Sequence, residues 1–172
     1  MLREKDHVIL ALDGPSGAGK TSLAQRLQEL YDANVISVDS FFLQSFQRTP
    51  ARLAQVGYFF DIERFKEEII TNLRQKQDFT YHHYDCHADT LSAAINLKFK
   101  PLTIIEGVYA CHPELTKHYD LKVFMAIEED QQIARLKKRS ADLLAAYLTA
   151  WLPKERAYFK KFKIKENSDL IL

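Results

Sequence analysis

Residues 14–21 read Gly14-Pro15-Ser16-Gly17-Ala18-Gly19-Lys20-Thr21, the spacing G-x-x-x-x-G-K-T. A glycine-rich backbone of this kind turns successive N–H groups toward one point and cradles a polyphosphate. Lys20 supplies a point charge that reaches β- and γ-phosphates, and the Thr21 hydroxyl suits Mg²⁺. A helix opening here, through Ser22 and beyond, adds unpaired N–H groups and a positive dipole end.

Two acids join this set. Asp39 follows the apolar run Val35-Ile36-Ser37-Val38, and Glu106 follows Leu102-Thr103-Ile104-Ile105. An acid after a second strand can accept the proton of an attacking hydroxyl, or hold Mg²⁺ through water. The plainer alternative for Asp39 is a turn or helix cap, and for Glu106 a strand-end charge facing water. With a phosphate-binding loop present, the functional reading outweighs the plain one at both positions.

The loop needs a strand before it and a helix after it. Val8–Leu12 is a short apolar run that predicts a strand buried on both faces, and Leu23, Leu27 and Leu30 keep helical spacing. Val35–Val38 predicts a second strand, Leu102–Ile105 a third, Leu121–Ile127 a fourth and Asp169–Leu172 a last one. Residues 40–60, with Pro50 and Gly57, predict a long connection of the kind that is usually functional. Ile62, Phe65, Ile69 and Leu73 predict a helix, and residues 78–100 an extended excursion or hairpin. Apolar spacing from Glu129 to Trp151 predicts helix with a break near Ser140, and Pro153 the start of another. Strands alternating with helices indicate a parallel sheet covered on both faces, with ligands at the carboxyl ends of its strands.

The chain has 172 residues, enough for one domain with a sizeable core, and its 47% hydrophobic and 27% charged content is ordinary for a soluble protein. The start, Met1 to Asp6, is charged and has no signal-peptide core, and no apolar run reaches membrane-spanning length. Cys86 and Cys111 stand far apart outside any CxxC spacing, so reduced thiols in the cytoplasm are the simplest expectation. The net charge of +1 gives no global pull toward nucleic acid or membrane. From Arg135 to Lys165, however, ten basic residues meet two acids, a local charge of +8. A solvated basic face explains most of them; the sharper reading is that a few arginines face phosphates. Zinc binding by the His- and Cys-rich stretch 81–89 with Cys111-His112 is less economical, because the spacing fits no finger or HExxH pattern.

Val35–Phe42 (VISVDSFF) after a GPSGAGKT loop resembles the uridine kinase branch of the P-loop kinases, which is related to phosphoribulokinase and bacterial pantothenate kinase. The likeness continues through Tyr84-Asp85, Glu106-Gly107-Val108-Tyr109, Tyr119–Phe124 and the Arg135–Arg139 stretch, so it covers nearly the whole chain. It implies a P-loop NTPase three-layer α/β/α fold around a parallel sheet of about five strands. One domain over residues 1–172 would carry an acceptor-binding insertion near 40–100 and a short lid near 139–153.

The activity implied is Mg²⁺- and ATP-dependent phosphorylation of a nucleoside 5′-hydroxyl, with uridine or cytidine as acceptor. Asp39 matches the family's base, which also binds the ribose hydroxyl. Phe42 stands where an aromatic stacks near the acceptor, a position often held by Tyr. Tyr84 matches a pocket tyrosine, and His87 is set against a histidine that reads the pyrimidine edge, at an unusual spacing. Arg135 and Arg139 match phosphate-binding arginines. Asp61, in Phe59-Phe60-Asp61-Ile62, binds a sugar hydroxyl or caps the helix that follows. Residues 140–152, where the lid belongs, contain no arginine, with Arg139 and Arg156 flanking the gap. Alternatives are a kinase for another small-molecule alcohol or nucleotide, and a nucleotide-binding regulatory protein whose basic stretch meets polyanions. Assembly as a homo-oligomer is left open.

Overall fold

A computed structural model describes residues 5–172. The expectation for the charged start of the chain therefore rests mainly on residues outside the described range. Strand β1 (Val8–Asp13) is buried at every position, as the apolar run Val8–Leu12 requires up to the acid that closes it. The phosphate loop leads into helix α1 (Lys20–Tyr31). This helix turns Ala24 fully inward and rests Leu23 and Leu27 on the sheet, whereas Leu30, expected on the same stripe, is 57% exposed.

Strand β2 (Asn34–Ser37) ends one residue before its apolar run does. Val38 opens a 3₁₀ turn, Val38–Phe41, because the Ser37 side chain caps the Asp39 N–H at 3.3 Å. Residues 40–60 hold a second 3₁₀ turn, Ser45–Gln47, and helix α2 (Pro50–Leu53). The helical run 62–75 consists of α3 (Ile62–Phe65), a π turn Lys66–Ile70, and α4 (Thr71–Gln75). It buries Ile62, Phe65, Ile69 and Leu73, as their spacing predicts.

The excursion 78–100 forms β3 (Phe79–Tyr81), β4 (Tyr84–Asp85), β5 (Thr90–Leu91) and β6 (Ile95–Leu97). These pair antiparallel as β3 with β6 and β4 with β5, a hairpin in two pieces. Then come β7 (Leu102–Glu106), α5 (Pro113–Thr116) and β8 (Leu121–Phe124), the last ending at Phe124 rather than Ile127. Helix α6 (Glu129–Arg139) stops at Ser140, where a break was expected. The chain continues through a 3₁₀ turn Ala141–Leu143, α7 (Leu144–Ala146), a π turn Tyr147–Trp151 and α8 (Leu152–Phe162) to β9 (Leu170–Ile171). Pro153 therefore does not open a separate helix. The Leu152 N–H already reaches the Tyr147 carbonyl, and the widened turn accommodates the ring at the second residue of α8.

The main sheet has five strands in the order β2-β7-β1-β8-β9, all parallel. Its register sets Ser37, Glu106 and Leu12 side by side across three strands. The chain segments bearing Asp39, Glu106 and the phosphate loop thus leave the same end of the sheet together. Val38 and Phe41, both fully buried, anchor the turn that carries Asp39. Phe41 meets Phe65 edge-on at 4.9 Å, and the Arg64 guanidinium lies 4.2 Å from its ring centre. Burying one such phenylalanine contributes about 1.5–3 kcal/mol, enough to keep the turn in place.

Asp13 ends β1 fully buried and is the polar hub beneath the loop. It accepts hydrogen bonds from the Gly14 N–H at 2.7 Å, the Cys111 N–H at 2.8 Å and the Tyr158 hydroxyl at 2.8 Å. Burial still outweighs these donors and pushes its carboxyl up to about 6. One side chain thus joins the loop, the segment after β7 and helix α8. Tyr158→Phe, which removes only the hydroxyl, is expected to lower the unfolding free energy by about 1.5–3 kcal/mol in urea titration. A change within error would show that the Asp13 hub does not hold α8.

Candidate active site

The first half of the loop is set by sterics. Gly14 has φ +140°, and a Cβ there would lie 2.3 Å from the Met125 carbonyl oxygen of the strand end beside it. The Gly14 N–H is held by Asp13, and the Ala18 N–H closes a turn on the Pro15 carbonyl at 3.1 Å. Gly14 and Ala18 form the buried base of the loop. Ser16, Gly17, Gly19, Lys20, Thr21 and Ser22 line one wall of a cavity of about 310 Å³.

Lys20 is buried and donates from Nζ to the carbonyls of Gly14 at 2.7 Å and Pro15 at 3.0 Å. Burial lowers its pKa, opposed by the carboxylates of Asp13, Glu155, Glu106 and Asp39. Thr21 donates from its hydroxyl to Glu106 at 3.2 Å. Burial pushes the Glu106 carboxyl up and the Asp39 charge adds to that, while Lys20 opposes it. Asp39 opens into the same cavity. Its side chain is exposed at the cavity, yet the surrounding protein partly desolvates the carboxylate and raises its pKa, against the pull of Lys20, Arg139 and His83.

Helix α6 supplies the opposite wall. Arg135 donates to the Gly17 carbonyl at 3.0 Å, and Arg139 to the Tyr147 hydroxyl at 2.8 Å. Both arginines and Tyr147 line the cavity. Tyr147 comes from the arginine-free segment and was not singled out by sequence; it meets Trp151 edge-on at 4.5 Å. Arg156, set beside the lid gap, instead pairs with Glu129 at 2.7 Å on the exposed surface.

The remaining expected acceptor residues stand apart from this cavity. Phe42 packs against Phe59 at 5.6 Å and pairs through its backbone with Phe60. Asp61 is 2% exposed, caps α3 through the Arg64 N–H at 3.1 Å, and accepts from Gln47 at 2.8 Å. Of its two readings, the cap is the one the structure displays. Tyr84 is 1% exposed, with its hydroxyl between Arg48 at 3.0 Å and Asp89 at 2.7 Å. That hydroxyl is held in an internal hydrogen-bonded chain, and Tyr84 does not line the cavity that holds the loop and Asp39. His87 lies exposed at the hairpin turn, its N–H on Asp85 at 2.8 Å. His83, also exposed, lies 3.1 Å from the Ser40 hydroxyl and near enough to Asp39 to act on its charge, without lining the cavity. Among the described residues, no group of three or more His, Cys, Asp and Glu side chains is arranged to hold a metal ion.

These residues fit a nucleotide and its cation. The glycine cradle leaves no room for a side chain at Gly14, a buried ammonium stands over the loop, and a hydroxyl touches a carboxylate, the oxygen donors a hard cation prefers. Phosphate-binding loops of this build occur in many protein families, so the loop alone does not decide which. The model of the phosphoribulokinase / uridine kinase family matches residues 9–142, from β1 past α6. The chain belongs to that family.

Within the wider set of proteins it resembles, uridine-cytidine kinase C of Dictyostelium discoideum is 27% identical over 122 residues, 67% of this chain. The match takes in 26% of that protein, so the chain spans about a quarter of the curated relative's length. Two solved structures share the fold along nearly the whole chain. One, described as a possible uridine kinase from Bacillus stearothermophilus, has a TM-score of 0.73 at 20% identity and covers 98% of this chain and 89% of its own. The other, inferred to be a fructose transport system kinase from Silicibacter sp. TM1040, has a TM-score of 0.76 at 23% identity, covering 99% and 91%. This phosphoribulokinase / uridine kinase family member thus carries the three-layer α/β/α architecture that its sequence predicts. No helix among the described residues is long and apolar enough to cross a membrane.

Proposed function

We propose that this chain transfers the γ-phosphate of ATP to the 5′-hydroxyl of a nucleoside, with uridine or cytidine as acceptor. The observation that carries the reading is Asp39, an acid opening into the same cavity as Lys20, Thr21 and Glu106. Family membership and the name of the curated relative support it. The reading takes residues 1–172 as one kinase domain, with segment 40–100 on the acceptor side and 139–153 as a short lid.

In this mechanism the loop and Lys20 hold the phosphates, and Thr21 with Glu106 would hold Mg²⁺, assisted by Asp39. Bound there, the cation neutralises phosphate charge. Asp39 accepts the proton of the acceptor hydroxyl while that oxygen bonds to the γ-phosphorus and the bond to the departing ADP oxygen breaks. Arg135 and Arg139 offset charge on the transferring group from α6, with Arg139 steadied by Tyr147.

Asp39 must be ionised to act. Its pKa is raised, so the ionised fraction falls at a higher pH than for an ordinary aspartate as the solution is acidified. Activity is therefore expected to decline on the acid side from that raised value, with no loss from this group at alkaline pH. Arg139→Gln removes one of the cations that oppose the shift and should move the acid limb further up. A limb that stays put or moves down in a pH–rate profile would contradict the role given to Asp39.

One observation favours another alcohol on the same scaffold: Asp61 and the Tyr84 hydroxyl are both held in internal hydrogen bonds. An ADP-release screen with Mg-ATP against nucleosides, nucleotides and pantothenate separates the two readings. Stimulation by uridine or cytidine supports the first, and stimulation by a different compound alone supports the second. Equal release in every well contradicts both.

A further inference from the structure

One buried carboxylate near the loop has no part in the transfer just described. Glu155, on α8, is 6% exposed. It accepts the Ser16 N–H at 3.0 Å through one oxygen and the Ser16 hydroxyl through the other. From α6, Gln132, also buried, donates to the Ser16 carbonyl at 2.9 Å. The amide, hydroxyl and carbonyl of Ser16 are thus all held by side chains from the two helices that bracket the lid segment. The neighbouring carbonyls are held separately, Gly14 and Pro15 by Lys20 and Gly17 by Arg135.

We propose that Glu155 is a positioning residue for the phosphate loop. By fixing the Ser16 peptide it sets the first half of the loop, and it ties nucleotide affinity to the seating of the helix that follows the lid. The inference rests on the ATP-binding reading above. Its physical content is separable because Glu155 has two effects of opposite sign. Its negative charge repels phosphate, so neutralisation alone cannot weaken nucleotide binding. Its hydrogen bonds preorganise the loop, so their loss can. Glu155→Gln removes the charge but keeps an oxygen for the Ser16 N–H and an NH₂ group for the hydroxyl. Glu155→Ala removes both the charge and the hold.

The test is calorimetric titration of Mg-ATP into the wild type, Glu155→Gln, Glu155→Ala, Ser16→Ala and the Glu155→Ala/Ser16→Ala double variant, with thermal unfolding of each. Glu155→Gln is expected to bind within about threefold of wild type, or more tightly, and Glu155→Ala about tenfold more weakly while still folded at the assay temperature. Ser16→Ala should weaken binding by about threefold, and the double variant should bind no more weakly than Glu155→Ala alone, because Glu155 acts through Ser16. Glu155→Ala binding as tightly as wild type, or fully additive losses in the double variant, would overturn the proposal. If Glu155→Ala does not fold, Ser16→Ala decides: unchanged affinity there overturns it. A wild-type chain that does not bind Mg-ATP overturns the ATP-binding reading and this inference with it, and the wild-type titration alone distinguishes that case.

Discussion

Asp39→Asn is expected to lower phosphoryl transfer by about 10²–10⁴-fold while leaving Mg-ATP affinity nearly intact. The amide keeps the shape of the carboxylate but cannot accept the acceptor's proton. The turn that carries it is anchored by Val38 and Phe41 and by the Ser37 cap to the Asp39 backbone, none of which involves the Asp39 carboxylate. The fold should therefore survive, and the loss should fall on turnover. Single-turnover kinetics with a nucleotide titration on the same preparation checks this. Retained turnover would remove Asp39 from the role of base, and lost ATP binding would make it a nucleotide ligand instead.

Lys20→Ala should have the second large effect, on binding as well as turnover. The ammonium is the donor to the carbonyls of Gly14 and Pro15, and four carboxylates face it: Asp13, Glu155, Glu106 and Asp39. Without it, Arg135 and Arg139 are the cationic side chains left lining the cavity, and incoming phosphates meet those acids with less to offset them. A fall in turnover of about 10²–10³-fold is expected, because a preorganised charge in a water-poor site is lost. Mg-ATP affinity should fall as well. Lys20→Arg should not restore it, since the planar fork does not replace a compact ammonium inside the loop. Calorimetry, with thermal unfolding as a folding control, measures the loss. Affinity within about threefold of wild type would mean that Lys20 serves the loop and not the nucleotide.

The architecture was legible because its signals are local. Short, mostly apolar runs marked all five strands of the main sheet, and the spacing of Ile62, Phe65, Ile69 and Leu73 marked a helix that buries all four. The loop, Asp39, Glu106, Arg135 and Arg139 were legible through motif and strand-end position, and they share one cavity. The acceptor side was not. Whether Tyr84 faces a pocket depends on Arg48 and Asp89, and whether Asp61 is free depends on Gln47, partners that no spacing rule predicts.

Two acids carried a signal that periodicity could have caught. Asp13 closes an otherwise apolar strand, and Glu155 lies three residues from both Leu152 and Tyr158 on the buried stripe of α8. A buried charge asks for partners: Asp13 finds Gly14, Cys111 and Tyr158, and Glu155 finds Ser16.

In the proposed reaction Asp39 and the loop together move a phosphate onto a bound hydroxyl. The most direct test follows γ-labelled ATP incubated with Mg²⁺, uridine or cytidine and the protein, with the position of the label in the product read by mass spectrometry. The expected result is label on the 5′-oxygen of the nucleoside in the wild type and its absence with Asp39→Asn. Label released only as inorganic phosphate, at the same rate with and without nucleoside, would contradict it.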